Sequence, residues 1–271
     1  MDRQLWNRKH VLNSLGATAV LLLFTWFAAA ATIASQQQSA PADHTGHDHT
    51  GHEGMSMPMD TPTDAAALAE LQAKVLADKR ESEFNHHLAG FFVVVAGLVV
   101  LFQSNLERRW PDVKYVWPAC FLLAGLFVFV WSDTELWPFG RRQWLEALQN
   151  NREVLQHKTF AVLLLVLGVT EWQRTRGALR TAWSNWVLPV IAVVGSVLLI
   201  FHQHEGGMVG EHHTETMERI QAQHMSYLAC GLGIGLANGL SGINTRLNGV
   251  FRKIWPALMV VLGVLLMFYR E

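Results

Sequence analysis

Residues 44–60 read HTGHDHTGHEGMSMPMD: His44, His47, His49 and His52 alternate with small or acidic residues, and Met55, Met57 and Met59 follow two apart. Neutral imidazole is the commonest transition-metal ligand near neutral pH, and thioether sulfur adds a preference for soft Cu(I). A mixed tract of this kind points to copper, cycling between Cu(II) and Cu(I), ahead of zinc, nickel or magnesium. The plainer alternative is a soluble linker, but linkers are usually built from Ser, Gly, Glu and Lys. With no apolar periodicity the tract is expected to be disordered. Each ligand must then be ordered on binding, which keeps the affinity low. Such an arm gathers metal rather than fixing it.

A fixed site needs ligands held by regular elements, and the apolar pattern says what those are. Of 271 residues 51% are hydrophobic and only 16% charged, the formal net charge is −1, and there are eleven Trp. That is the composition of a membrane protein, and it leaves no basis for a nucleic-acid partner. Cys120 and Cys230 both lie in apolar runs, so neither a disulfide framework nor a zinc ribbon is available. Runs that suit a ~30 Å hydrocarbon layer fall near residues 11–34, 87–106, 116–132, 159–170, 186–201, 225–240 and 255–269. The fold class expected is all-α, a polytopic transmembrane helix bundle of six core helices after an N-terminal signal anchor or signal peptide at 1–34. The first apolar stretch exceeds the usual signal-peptide core of about 7–15 residues, which favours an anchor, although AAAATIASQ offers small residues for cleavage. The arm occupies 35–62. Residues 63–82 carry Leu68, Leu71 and Val75 at helical spacing behind Asp64, a short amphipathic helix, and 83–271 form the membrane domain.

Lys and Arg in short loops mark the cytoplasmic side. Arg3, Arg8 and Lys9 place the N-terminus inside, and alternation then puts Arg108, Arg109 and Lys114, next Arg174, Arg176 and Arg180, and next Arg246, Arg252 and Lys253 inside as well. Arg141, Arg142 and Arg152 dissent, although among Asp133, Glu135, Glu146 and Glu153. Of thirteen histidines only His10 falls inside. His86 and His87 open the second span, Asp133 follows the third, His157 precedes the fourth, His202 and His204 close the fifth, and His224 opens the sixth. A lone His at a helix end is more often a cap or hydrogen-bond donor. Five spans bringing ligands to one face is the stronger signal, because ionisable groups near membrane depth are costly and mark function. His212 and His213 are expected in a loop, as a secondary patch. The soft donors within the spans, Cys120, Cys230, Met259 and Met267, read as core packing, so metal capture at the outer face is expected rather than passage. Gly231, Gly235 and Gly239, four apart, read as close helix packing.

The segments EFNHHLAGFFVVVAGL, FVWSDTELWPFG, EVLQHKTFAVLLLVLGVTEWQ, the HQH at His202 to His204, His224 and the ending IWPALMVVLGVLLMFYRE resemble the membrane domain of copper resistance protein D-like proteins over residues 83–271. The first 80 residues look like an added copper-binding arm, and the extra HH at His212 and His213 departs from the pattern. The resemblance implies a protein of the bacterial inner membrane acting in copper resistance or copper transfer, with family-like positions at His86, Asp133, His157, His202, His204 and His224. The loop charges put the metal-binding face on the periplasmic side, where a periplasmic copper chaperone or cuproenzyme is the partner to expect, and binding or transport is expected ahead of catalysis. Two other classes stay open. One is a haem-b electron carrier with axial histidines near the outer face, disfavoured by the lack of inner-face histidines. The other is a structural accessory subunit, which leaves the ligand-rich face unexplained.

Overall fold

In the computed structural model, which describes residues 62–136, 138–201, 212–243 and 248–270, eight α-helices follow one another. They are α1 (Pro62–Leu101), α2 (Gln103–Leu106), α3 (Val116–Trp131), α4 (Trp144–Asn150), α5 (Arg152–Thr175), α6 (Val187–Ile200), α7 (His212–Ile243) and α8 (Asn248–Met267). Among the described residues the only β feature is one isolated bridge, Leu136 to Arg142. Among the described residues six segments are long and apolar enough to cross a membrane: Gln72–Leu101, Pro111–Trp131, Arg152–Thr175, Ala182–Ile200, Glu218–Ile243 and Asn248–Met267. The chain is therefore an all-α, multi-pass membrane bundle. The expected first span at 11–34 and the arm lie outside the described residues.

The helices are longer than the apolar runs alone indicate. The separate helix expected at 63–82 is the first half of α1, continuous with the span that follows. The reason is local: from Ala65 to Ala89 the sequence holds no Gly or Pro and is rich in Ala, Leu, Lys and Glu, all strong helix formers. Helices α3 and α6 are entered through 3₁₀ turns, Pro111–Tyr115 and Ala182–Trp186. Pro118 and Pro189 then sit in the first α-turn, where a missing N–H costs no intrahelical bond.

The six spanning helices close a ring in the order α1, α3, α5, α6, α7, α8 and back to α1, with the seam between α5 and α6 the thinnest. Glycines set the tight seams. A Cβ at Gly90 would lie 2.6 Å from the Gly263 carbonyl oxygen, one at Gly168 would meet Leu122, and one at Gly235 would lie 2.9 Å from the Pro189 carbonyl. Gly231 likewise presses on Ser196, so the expected close packing of the glycine-spaced helix falls against α6, while Gly239 sits more loosely by Trp186. Helix α5 is the most enclosed, with 56% of its apolar window buried against 17–33% for the other five. Outward faces carry exposed Leu123, Leu126, Val190, Val197, Leu236 and Val261, as a lipid-facing surface requires.

The two ends of the bundle differ in chemistry. Arg108, Arg109, Arg174, Arg176, Arg180 and Arg252 gather at one end; His86, His87, Asp133, His157 and His224 stand at or near the other. The histidine end is capped by residues 132–151, whose Leu136 and Ala147 form a small core with Val154. The dissenting Arg142 is explained there: it pairs with Glu135 at 3.1 Å, and Glu135 also lies 3.9 Å from Lys74 of α1. Glu81 of α1 accepts from the Thr134 hydroxyl at 2.9 Å, tying the cap to the extended helix.

Candidate functional site

His157 lies in the second turn of α5, a helix started by Asn151, whose side chain accepts from the Val154 amide at 2.9 Å. Its Nδ1 stands 3.1 Å from Asp133 Oδ1, just past the end of α3. A neutral imidazole that donates Nδ1–H to a carboxylate carries its lone pair on Nε2, the arrangement that fixes the tautomer of metal-ligating histidines. The other oxygen of Asp133 is 2.7 Å from Lys158 Nζ and 2.5 Å from Ser132 Oγ. Lys158 is 1% exposed. It also donates to the Phe129 carbonyl at 2.9 Å and to Ser132 Oγ at 3.2 Å, and it lies over the Trp144 ring. Burial alone would push the Asp133 carboxyl up, but the hydrogen bond and charge of His157 together with the Lys158 ammonium outweigh it and hold the group at about 2.

The other two described histidines of the expected set approach from the opposite side of the ring. His86 Nδ1 is 2.8 Å from the Ser82 carbonyl, one turn back on α1. Its ring stacks on Tyr269 at 3.9 Å between centroids, and His224 lies on the same tyrosine at 6.3 Å, each 23° from parallel. Tyr269 is fully buried, and Arg270 after it exchanges two hydrogen bonds with Gln223. His87 is turned elsewhere, its Nε2 3.0 Å from the Tyr269 carbonyl. Adjacent residues diverge by about 100° on a helix, so His86 and His87 serve different faces.

His86, His157 and His224 line one cavity of about 280 Å³, with Asn85, Ser132 and Tyr227 near them and apolar wall beyond. The structure thus brings three expected ligands to one space and places Asp133 as the support of one of them. Among the described residues, no three His, Cys, Asp or Glu side chains gather closely enough to hold a metal ion. His202 and His204 lie outside the described residues, as do His44, His47, His49, His52, Met55, Met57 and Met59. The chain reaches His202 from Phe201, whose carbonyl accepts from Gln156, the neighbour of His157, at 2.7 Å. His212 and His213, expected in a loop, are the first residues of α7, and His224, expected to open the span, lies within the first two turns of the apolar segment Glu218–Ile243. Met259 lines the cavity and Cys120 is buried in the core, whereas Met267 is exposed.

Sequence reasoning missed two members. Lys158 was readable, since a lysine inside the run EVLQHKTFAVLLL needs an anion. Tyr269 gave no signal, because a tyrosine beside an arginine at the end of an apolar span is an ordinary interfacial residue. Comparison of the chain with protein-family models, with curated proteins and with solved structures finds no match in any of the three.

Proposed function

We propose that this protein captures copper at the histidine-bearing face of the bacterial inner membrane, the periplasmic one, and acts in copper resistance, transfer or transport. The observation that supports it most is the Asp133–His157 pair, a carboxylate-oriented imidazole at the polar end of a cavity shared with His86 and His224. The His/Met arm at 44–59 gathers copper weakly. The helix-end set completes a tighter site only when His202 and His204 join the described histidines. A periplasmic chaperone or cuproenzyme exchanges copper with the arm. The resemblance of residues 83–271 to copper resistance protein D-like membrane domains supports this reading of role and compartment.

Capture suits the cavity better than conduction. Beyond the histidines its wall is formed by residues such as Phe121, Leu163, Leu188 and Ile234, with Met259 the one soft donor among the described lining residues, and a cation gains little from such walls. The test is metal analysis of the detergent-purified full-length chain and of a variant lacking residues 35–60 after exposure to copper and to zinc. Copper retained by both, in smaller amount by the variant, is expected; zinc retained in preference to copper defeats the proposal.

The apolar cavity with imidazoles at one end also favours a second reading, a haem-b carrier with axial histidines. An oxidised-minus-reduced absorption spectrum separates the two, since haem shows a sharp Soret band and histidine-bound Cu(I) does not.

A further inference from the structure

The arginine end of the bundle is not uniform. Between α5 and α6 the guanidiniums are largely engaged: Arg174 pairs with Glu171 and donates to Asn185 Oδ1 at 2.8 Å, and Arg180 donates to the Gly177 carbonyl at 3.0 Å. On the other side of this end they are not. Among the described residues the side chains of Arg108, Arg109, Arg252 and Lys253 are exposed and have no hydrogen-bond or ion-pair partner. Lys114 lies over the Tyr115 ring, 5.4 Å from its centroid.

These five cations belong to segments that meet at one corner. Helices α3 and α8 both run away from the arginine end, and Trp117 of the first meets Trp255 of the second edge to face, 6.4 Å between centroids. Lys114 and Arg252 each stand three residues before one of these tryptophans, about one turn nearer that end. A Cβ at Gly97 would lie 2.9 Å from the Pro256 carbonyl oxygen, so the end of α1 closes on the same stretch of α8. The turn that carries Arg108 and Arg109 leads into the 3₁₀ turn Pro111–Tyr115, which packs on α1. Two acids accompany the cations, Asp112 and Glu107, and Glu107 is already taken by the Gln103 amide at 2.6 Å. A surplus of positive charge therefore gathers where α1 ends and α3 and α8 begin.

The surroundings select the anion. Leu98, Phe102, Val116 and Ile254 are exposed beside the cations, and so is Trp110, an aromatic side chain of the kind that sits at headgroup level. A guanidinium offers paired N–H donors to phosphate oxygens, and basic pockets between membrane helices take acidic lipid heads. A soluble anion would use the cations and leave the apolar rim uncovered. A zwitterionic lipid would bring a cation of its own among them. A lipid with a net negative head uses both the charge and the rim.

We propose that this corner binds an anionic glycerophospholipid, its phosphate among Lys114, Arg252 and the Arg108–Arg109 turn and its acyl chains along the exposed faces of α1 and α8. The proposal does not depend on copper. The test titrates the detergent-purified full-length chain with dioleoyl phosphatidylglycerol, followed by native mass spectrometry, with dioleoyl phosphatidylcholine and glycerol phosphate as comparisons. Saturable binding is expected, at least about tenfold tighter for phosphatidylglycerol than for phosphatidylcholine. Arg108→Gln with Arg252→Gln should weaken it at least about tenfold at unchanged melting temperature. Arg176→Gln with Arg180→Gln removes the same charge from the same end and should change it less than about twofold. If the first double variant does not fold, Arg252→Gln alone carries the comparison, with a loss of about fivefold. Equal binding of the two lipids, equal losses in the two double variants, or displacement of the lipid by an equal concentration of glycerol phosphate overturns the proposal.

Discussion

At the scale of single residues, the Asp133, His157 and Lys158 network joins stability to ligand placement. Removing one partner of a buried ion pair costs about 3–5 kcal/mol because the other charge is stranded. Asp133→Asn strands Lys158, which is 1% exposed, so a large drop in melting temperature in detergent is expected. Adding Lys158→Met should restore most of the stability, since an apolar side chain of similar volume replaces the stranded cation. Copper affinity should stay about 10–100-fold low in the double variant, because His157 has still lost its carboxylate. Recovery of both properties together would reduce Asp133 to a structural role. The same carboxyl gives a pH dependence. It titrates at about 2 in the fold and near 3.9 in an unfolded chain, so its ionised form stabilises the fold fully above pH ~4, and the contribution fades as pH falls from about 4 towards 2. Melts between pH 6 and pH 2.5 should show that loss, and Asp133→Asn should flatten it. The histidines of this end were legible in the sequence because span ends and basic loops order them. Tyr269 was not, since its place between His86 and His224 is set by the return of α8 to the start of α1, a contact 182 residues apart in sequence as measured at His87.

Elements carry the next level of constraint. Gly90 and Gly263 bring α1 and α8 into backbone contact, each blocking a Cβ on the other at 2.6–2.7 Å. Gly263→Ala should therefore cost about 1–3 kcal/mol, the usual effect of overpacking, whereas Gly195→Ala, whose Cβ would meet only the Phe160 ring at an ordinary 3.8 Å, should be near neutral. Thermal melts of the two variants decide this, and equal melting temperatures would mean that the α1–α8 seam is looser than described. The spans were legible as apolar runs, and Gly231 and Gly235 as a packing face. Helix ends were harder. Polar residues such as Gln156 and Lys158 continue α5 outward while satisfied by partners from other elements, the Phe201 carbonyl and Asp133, and Thr159 by the Leu155 carbonyl one turn back, and hydropathy stops where such residues begin. The join of residues 63–82 to the first core span escaped for the opposite reason, since strong local helix propensity is invisible to a search for apolar runs.

At the scale of the whole molecule the two ends differ: the described histidines of the cavity stand at one, and Arg108, Arg109, Arg174, Arg176, Arg180 and Arg252 gather without them at the other. In a background lacking Cys120 and Cys230, a cysteine at Leu145 on the capping helix, 68% exposed, should react with an impermeant thiol reagent added to spheroplasts. One at Arg176 should not. Arg176 is the better probe than its neighbour Gly177, whose φ of +69° disfavours any side chain. Labelling of Arg176→Cys alone would invert the bundle and place its histidines towards the cytoplasm. The direct test of copper capture is a competition titration with Cu(I) on the full-length chain, on a variant lacking residues 44–59, and on that variant carrying either His204→Ala or His212→Ala. Several weak ions plus one tight ion are expected in the full chain, the tight ion alone in the deletion variant, its loss with His204→Ala and its retention with His212→Ala. A deletion variant that holds no copper, or one that loses it equally with either alanine, contradicts a site at the helix ends.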